Sequence, residues 1–210
     1  MSDRVKRLLL LNATAAVVAV TVLFGVDSWR RSAGSLVQPL PLLGQVPDFT
    51  LRERSGSAVS LNDLKGKVWI SDFVFTHCAG PCPMLTAQMA KLQQPLEEFP
   101  DVRLVSFTVD PERDTPEVLT TYAEQFGAGD RWHFLTGEKA PMYSLIVDGF
   151  KLGLDDGSAL TAGVPGPGTI THTVRFVLVD RQGQIRGYYD GTDSGLQEKL
   201  LPDVRQLLRQ

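Results

Sequence analysis

Three observations place this 210-residue chain in the α/β class. Residues 69–76 and 102–109 are so densely apolar and β-branched that they read as strands buried on both faces, as in the parallel part of a sheet. Each is followed by a stretch whose apolar residues recur at helical spacing. Residues 173–179 and 185–189, separated by Asp180-Arg181-Gln182-Gly183-Gln184, read as a hairpin, so the central sheet is expected to be mixed.

The first element is of another kind. Residues 8–26 run for 19 positions without a charge, and as a helix they would span roughly 28 Å, close to the hydrocarbon thickness of about 30 Å. Arg4, Lys6 and Arg7 precede the run and Arg30 and Arg31 follow it. The positive-inside bias then leaves the N-terminus in the cytoplasm and carries everything after the run outside. A cleaved signal peptide is the rival reading. It would have a shorter apolar region followed by small residues, whereas here the small residues lie inside the run and Val22-Leu23-Phe24-Gly25-Val26 continues it. The expected organisation is a membrane anchor with its flanks at 1–31, a Gly/Pro/Leu-containing tether at 32–45, and a globular domain at 46–210. A bacterial inner membrane with the domain in the periplasm fits, since the start lacks the Arg- and Ser-rich look of a transit peptide.

Residues 46–51 and 59–61 are strand-like pieces around a Ser55-Gly56-Ser57 turn, and Leu64-Lys65-Gly66-Lys67 reads as another turn. After the first buried strand, Leu85, Met89, Leu92 and Leu96 stripe one helix face, which Pro95 ends or bends. After the second, Asp114-Thr115-Pro116-Glu117 carries the marks of a helix start: a capping residue, a first-turn proline and an early acid. Val118, Leu119, Tyr122 and Phe126 give that helix its buried face, and Gly127 its end. Residues 141–150 look helical, residues 153–169 form a Gly/Pro-rich stretch without period, and Leu196, Leu200, Val204 and Leu207 stripe a last helix containing Pro202. The order strand, helix, strand, helix, hairpin, helix is that of a thioredoxin-like domain.

Composition removes some functions. The chain is 43% hydrophobic and 21% charged, as globular domains are. Outside the first 31 residues it holds 16 basic and 22 acidic residues with no basic stripe, which argues against nucleic acid as a partner.

The chemistry concentrates in one loop. Cys78 and Cys82 are the only cysteines and sit where the first buried strand gives way to its helix, beyond the strand C-terminus where ligand sites of such sheets lie. At i and i+4 the two sulfurs can bond to each other or grip one soft metal ion. A purely structural disulfide would gain little here, because so short a loop removes little entropy from the unfolded chain. A helix start offers backbone donors and a dipole that favour thiolate, which is both the nucleophile and the metal ligand. Copper(I) prefers soft thiolates, so a third ligand from elsewhere would decide between metal and redox chemistry. Three histidines are candidates: His77 beside Cys78, His133 at the edge of a strand, and His172 between the Gly/Pro-rich stretch and the hairpin. Asp110 is a candidate for docking or proton handling, Asp114 reads as a turn acid and helix cap, and Met84 offers a further soft sulfur, although its place beside a helix start reads as packing.

Four segments, taken with the N-terminal run, make the chain similar to the Sco/SenC family of membrane-anchored, thioredoxin-like copper proteins. They are Phe73-Val74-Phe75-Thr76-His77-Cys78 with Cys82-Pro83, then Val109-Asp110-Pro111-Glu112-Arg113-Asp114-Thr115-Pro116-Glu117, then Trp132-His133-Phe134-Leu135-Thr136-Gly137, and last His172 ahead of a strand leading to Val179-Asp180-Arg181-Gln182-Gly183. The resemblance implies that Cys78, Cys82 and His172 bind one copper ion per chain. It implies delivery of that ion to the CuA centre of cytochrome c oxidase, or reduction of the cysteines of that centre, with other copper chaperones or thioredoxin-like reductants as further partners. The alternative is an extracytoplasmic thiol-disulfide oxidoreductase in which Cys78 attacks and Cys82 resolves. The chain departs from the family in carrying Thr171 where an acidic residue often stands, and in the small, uncharged insert Ala79-Gly80-Pro81.

Overall fold

In the computed structural model the described residues are 38–78, 80–152 and 174–210. Strands β1 (Gly44–Gln45), β2 (Thr50–Glu53) and β3 (Ala58–Ser60) lead into the one-turn helix α1 (Leu61–Leu64) and the buried strand β4 (Val68–Val74). Helix α2 (Cys82–Gln93) runs into a 3₁₀ turn at Gln94–Leu96, where Pro95 stands, and is followed by β5 (Val102–Thr108), α3 (Pro116–Gln125) and β6 (Trp132–Thr136). Helix α4 (Lys139–Ser144) continues as a π turn through Leu145–Gly149, and β7 (Arg175–Val179), β8 (Gln184–Asp190) and α5 (Leu196–Leu208) complete the chain. The 19-residue apolar run and the segment holding His172 lie outside the described residues. Among those described, no helix is long and apolar enough to cross a membrane.

The strands form one sheet in the order β1-β8-β7-β4-β5-β6-β2-β3. β4, β5 and β6 are parallel, with Val68 opposite Val102 through Val74 opposite Thr108. β7 joins β4 antiparallel and β8 closes the hairpin, so the sheet is mixed as expected. All seven residues of β4 are buried, because successive side chains point to opposite faces and both faces are covered.

On one face, Ile70 and Val74 of β4 pack with Leu85, Met89 and Leu92 of α2, with Leu119 and Tyr122 of α3, and with the Leu196, Leu200, Val204 and Leu207 stripe of α5. On the other, Trp69, Phe73, Phe107 and Phe150 meet residues of β2, α1 and α4. Ring centroids there lie 5.7 Å apart for Phe73–Phe107, 5.1 Å for Phe73–Phe150 and 6.0 Å for Trp69–Phe150. Such pairs add about 0.5–1.5 kcal/mol each beyond their buried area. Ahead of β1, Arg186 of β8 donates to the carbonyls of Leu40 and Pro41 and pairs with Asp180 at 2.8 Å, fixing the entry of the chain onto the sheet edge.

The parallel pairing positions the site. Because β4 and β5 are adjacent and run the same way, the loops leaving their C-terminal ends lie side by side, joined by the Val109 N–H donating to the Val74 carbonyl at 2.8 Å. One loop carries the cysteines and the other carries Asp110 and Asp114.

Candidate metal centre

Cys82 is the first residue of α2, between Pro81 and Pro83. Proline suits this position, since a first-turn N–H has no intrahelical acceptor to lose. The Leu85 N–H bonds the Pro81 carbonyl at 3.0 Å, closing the first turn. Thr86 donates its hydroxyl to the Cys82 carbonyl at 2.9 Å, so the Tyr122 hydroxyl, 2.8 Å away, must donate to Thr86. The start of α2 is thereby tied to α3. At Gly191, after β8, a Cβ would collide with Leu85 and Phe176, so the last turn before α5 also packs tightly on α2.

The two sulfurs differ. Both are free thiols that share a hydrogen bond; Cys78 is half-buried and accepts from the Gly80 N–H at 3.3 Å, whereas Cys82 is wholly buried. Burial pushes the Cys82 thiol up. The hydrogen bond with Cys78 adds to this, as do the charges of Cys78 and Asp72, against a backbone hydrogen bond from Phe75. The helix start therefore does not leave Cys82 a ready thiolate: desolvation outweighs the terminal dipole. A metal displacing its proton would supply what the site lacks.

Around the pair, His77, Gly80, Pro83 and Met84 are exposed. Met84 is 43% exposed and not packed, so the expectation of a packing role for it fails. His133 lies half-buried in β6, where desolvation pushes its imidazole down, and no cluster of three metal-ligating side chains exists among the described residues. Two soft sulfurs within hydrogen-bonding reach of each other at an accessible loop fit a soft cation. His172, the expected third ligand, lies outside the described residues.

Two buried carboxylates flank the loop. Asp110 donates its N–H to Thr108 Oγ1 at 3.0 Å, and its carboxylate pairs with Arg113 at 3.2 Å. Asp114 does not cap α3: Thr115 does, accepting from the Val118 N–H at 3.4 Å. Asp114 is completely buried and instead accepts from Thr76 Oγ1 at 2.6 Å and Thr108 Oγ1 at 2.5 Å. Sequence reasoning missed Asp72, the one acid inside the apolar first strand. It lies on the same sheet face as Ile70 and Val74, beneath α2.

A dithiol at the junction of a central parallel strand and its crossover helix, on a mixed sheet covered on both faces, defines a thioredoxin-like protein. The SCO1/SenC family model matches residues 43–209, and the chain belongs to that family. The SCO1 protein homologue of Bacillus subtilis is 36% identical over 168 residues, 79% of this chain and 83% of its own. A Stutzerimonas stutzeri protein to which copper binding is ascribed is 32% identical over 151 residues, 71% of each chain. The structure of BsSco, described as a member of the Sco family of cytochrome c oxidase assembly proteins with a disulfide switch, matches with a TM-score of 0.69 at 33% identity, covering 81% of this chain and 97% of that one.

Proposed function

We propose that this protein is a membrane-tethered copper carrier that binds one copper ion per chain through Cys78, Cys82 and His172 and serves the CuA centre of cytochrome c oxidase. It hands over the metal or keeps that centre's cysteines reduced. The observation that carries this reading is the pair of free, mutually hydrogen-bonded thiols at the strand-to-helix junction. Family membership and the copper and oxidase-assembly roles given for its relatives support it. They do not favour the thiol-disulfide oxidoreductase alternative. In this reading residues 1–31 anchor the chain, 32–45 form the tether and 46–210 the copper-binding domain in the periplasm.

The test is an anaerobic copper(I) titration of the full chain in detergent, with the cysteines reduced and then oxidised. Reduced protein is expected to take up one equivalent and oxidised protein much less, because a disulfide has no thiolate lone pairs of comparable donor strength. Equal uptake in both states would sink the proposal. The anchor is tested separately by a reporter fused after Arg31. It is expected to be active only on the outer side of the membrane, since Arg4, Lys6 and Arg7 hold the N-terminus inside. Cytoplasmic activity of that fusion would remove the periplasmic placement.

A further inference from the structure

Asp114 is a fully buried carboxylate with three donors on it and no capping duty. Thr76 supplies two of them, its hydroxyl at 2.6 Å and its backbone N–H at 3.3 and 3.4 Å to the two oxygens. Thr108 supplies the third at 2.5 Å. A convergence of donors is what an ionised carboxylate requires once it is out of water. Burial pushes the Asp114 carboxyl up, and the bonds from Thr108 and Thr76 pull it back down.

The protons on this network can be counted. A threonine hydroxyl has one proton to give and lone pairs to receive with. Thr108 receives the Asp110 N–H at 3.0 Å and gives its proton to Asp114. Thr76 likewise gives its proton to Asp114, so toward His77 Nδ1, 3.1 Å away, it must receive. The neutral imidazole of His77 then carries its proton on Nδ1 and its lone pair on Nε2. Thr76 is two residues before Cys78, and His77 is exposed beside it.

We propose that Asp114 is a positioning residue for the cysteine loop. Acting through the Thr76 hydroxyl, it fixes the backbone just ahead of Cys78 and sets the tautomer of the neutral His77 imidazole, with the proton on Nδ1. Asp114 thus holds Thr76 by both its hydroxyl and its backbone N–H, so the course of the chain into Cys78 depends on a carboxylate supplied by the neighbouring loop. The tautomer follows from the hydrogen bonds alone, whereas the consequence for copper rests on the carrier reading above.

The experiment uses the reduced full chain labelled with nitrogen-15, in which histidine side-chain spectra assign the protonated nitrogen. A competition titration with a chromophoric copper(I) chelator gives the affinity. The parent is expected to show His77 protonated at Nδ1. Thr76→Val should move that proton to Nε2 and lower copper(I) affinity about tenfold, roughly 1.4 kcal/mol; Thr76→Ser, which keeps the hydroxyl, should restore both. Asp114→Asn should act in the same direction as Thr76→Val, and should it fail to fold, the Thr76 pair still decides. A parent protonated at Nε2, or a Thr76→Val protein with tautomer and affinity unchanged, overturns the proposal. If the tautomer moves as expected in a chain whose parent binds no copper, the clamp stands and the carrier reading is what fails.

Discussion

Cys78→Ala and Cys82→Ala are each expected to lower copper(I) affinity at least a hundredfold, about 2.7 kcal/mol or more, in the same chelator competition. Each removes one of two soft donors, and no third cysteine exists to replace it. Alanine is the better probe at Cys82, which is wholly buried, since serine would bring a hydroxyl that needs a partner there. His172→Ala should cost less, about tenfold or 1.4 kcal/mol, because both thiols and the α2 start remain. Disulfide reduction by an added dithiol should change little in that variant. Parent-like affinity in either cysteine variant would mean that the metal is held elsewhere. Parent-like copper binding in His172→Ala with lost reduction would assign the histidine to thiol chemistry.

Much of this site was legible because its signals are local. The buried runs of β4 and β5 and the stripe on α2 have the periodicities that parallel strands and crossover helices impose, and the cysteines stand at their junction. The proline effect was legible too: α2 ends at Gln93, and Leu96 keeps its buried place from a 3₁₀ turn. Short elements were harder. The one-turn α1 left no sign in the pattern, Leu61 reading as the end of a strand-like piece and Leu64 as the start of a turn, although Ser60 and Asp63 form a capping box at its start, because four residues carry no period. What escaped most were the long-range pairings of polar groups. Asp114 was assigned to a cap because an acid before Thr-Pro-Glu satisfies that pattern, whereas its partners are Thr76, 38 residues away, and Thr108. Nothing in the spacing brings those residues together; the parallel register of β4 and β5 does. The unequal burial of the two thiols has a similar origin, since it depends on how the start of α2 packs onto the rest of the domain.

Asp72 should make the protein's stability fall as pH rises from about 4 to about 7, an effect that Asp72→Asn should abolish. The residue faces the α2 side of β4, opposite Ser106 in the parallel register. Its Oδ1 accepts from Ser106 Oγ at 2.5 Å, and Ser106 in turn accepts from Trp132 Nε1 at 2.9 Å, while Oδ2 has no partner among the described residues. Burial pushes this carboxyl up from 3.8 to about 7, the bond from Ser106 offsetting only part of the shift. The folded state thus holds a proton that the unfolded state releases above about pH 4. The contribution to stability is fully present below that point, declines as pH rises and is lost once pH passes about 7. With about 1.4 kcal/mol per unit, the full swing is on the order of 4 kcal/mol. Asparagine keeps an acceptor for Ser106 and never ionises, though its amide group takes the unpartnered position at some constant cost. Urea unfolding of parent and variant at about pH 4, 6 and 8 separates the two effects, because the constant cost shifts all points alike while the titration changes their difference. The variant should gain on the parent by several kcal/mol between the first and last pH. A difference that stays flat across this range would mean that Asp72 ionises in the folded protein as readily as in the unfolded one, and that water or a cation reaches Oδ2 beneath the cysteine helix.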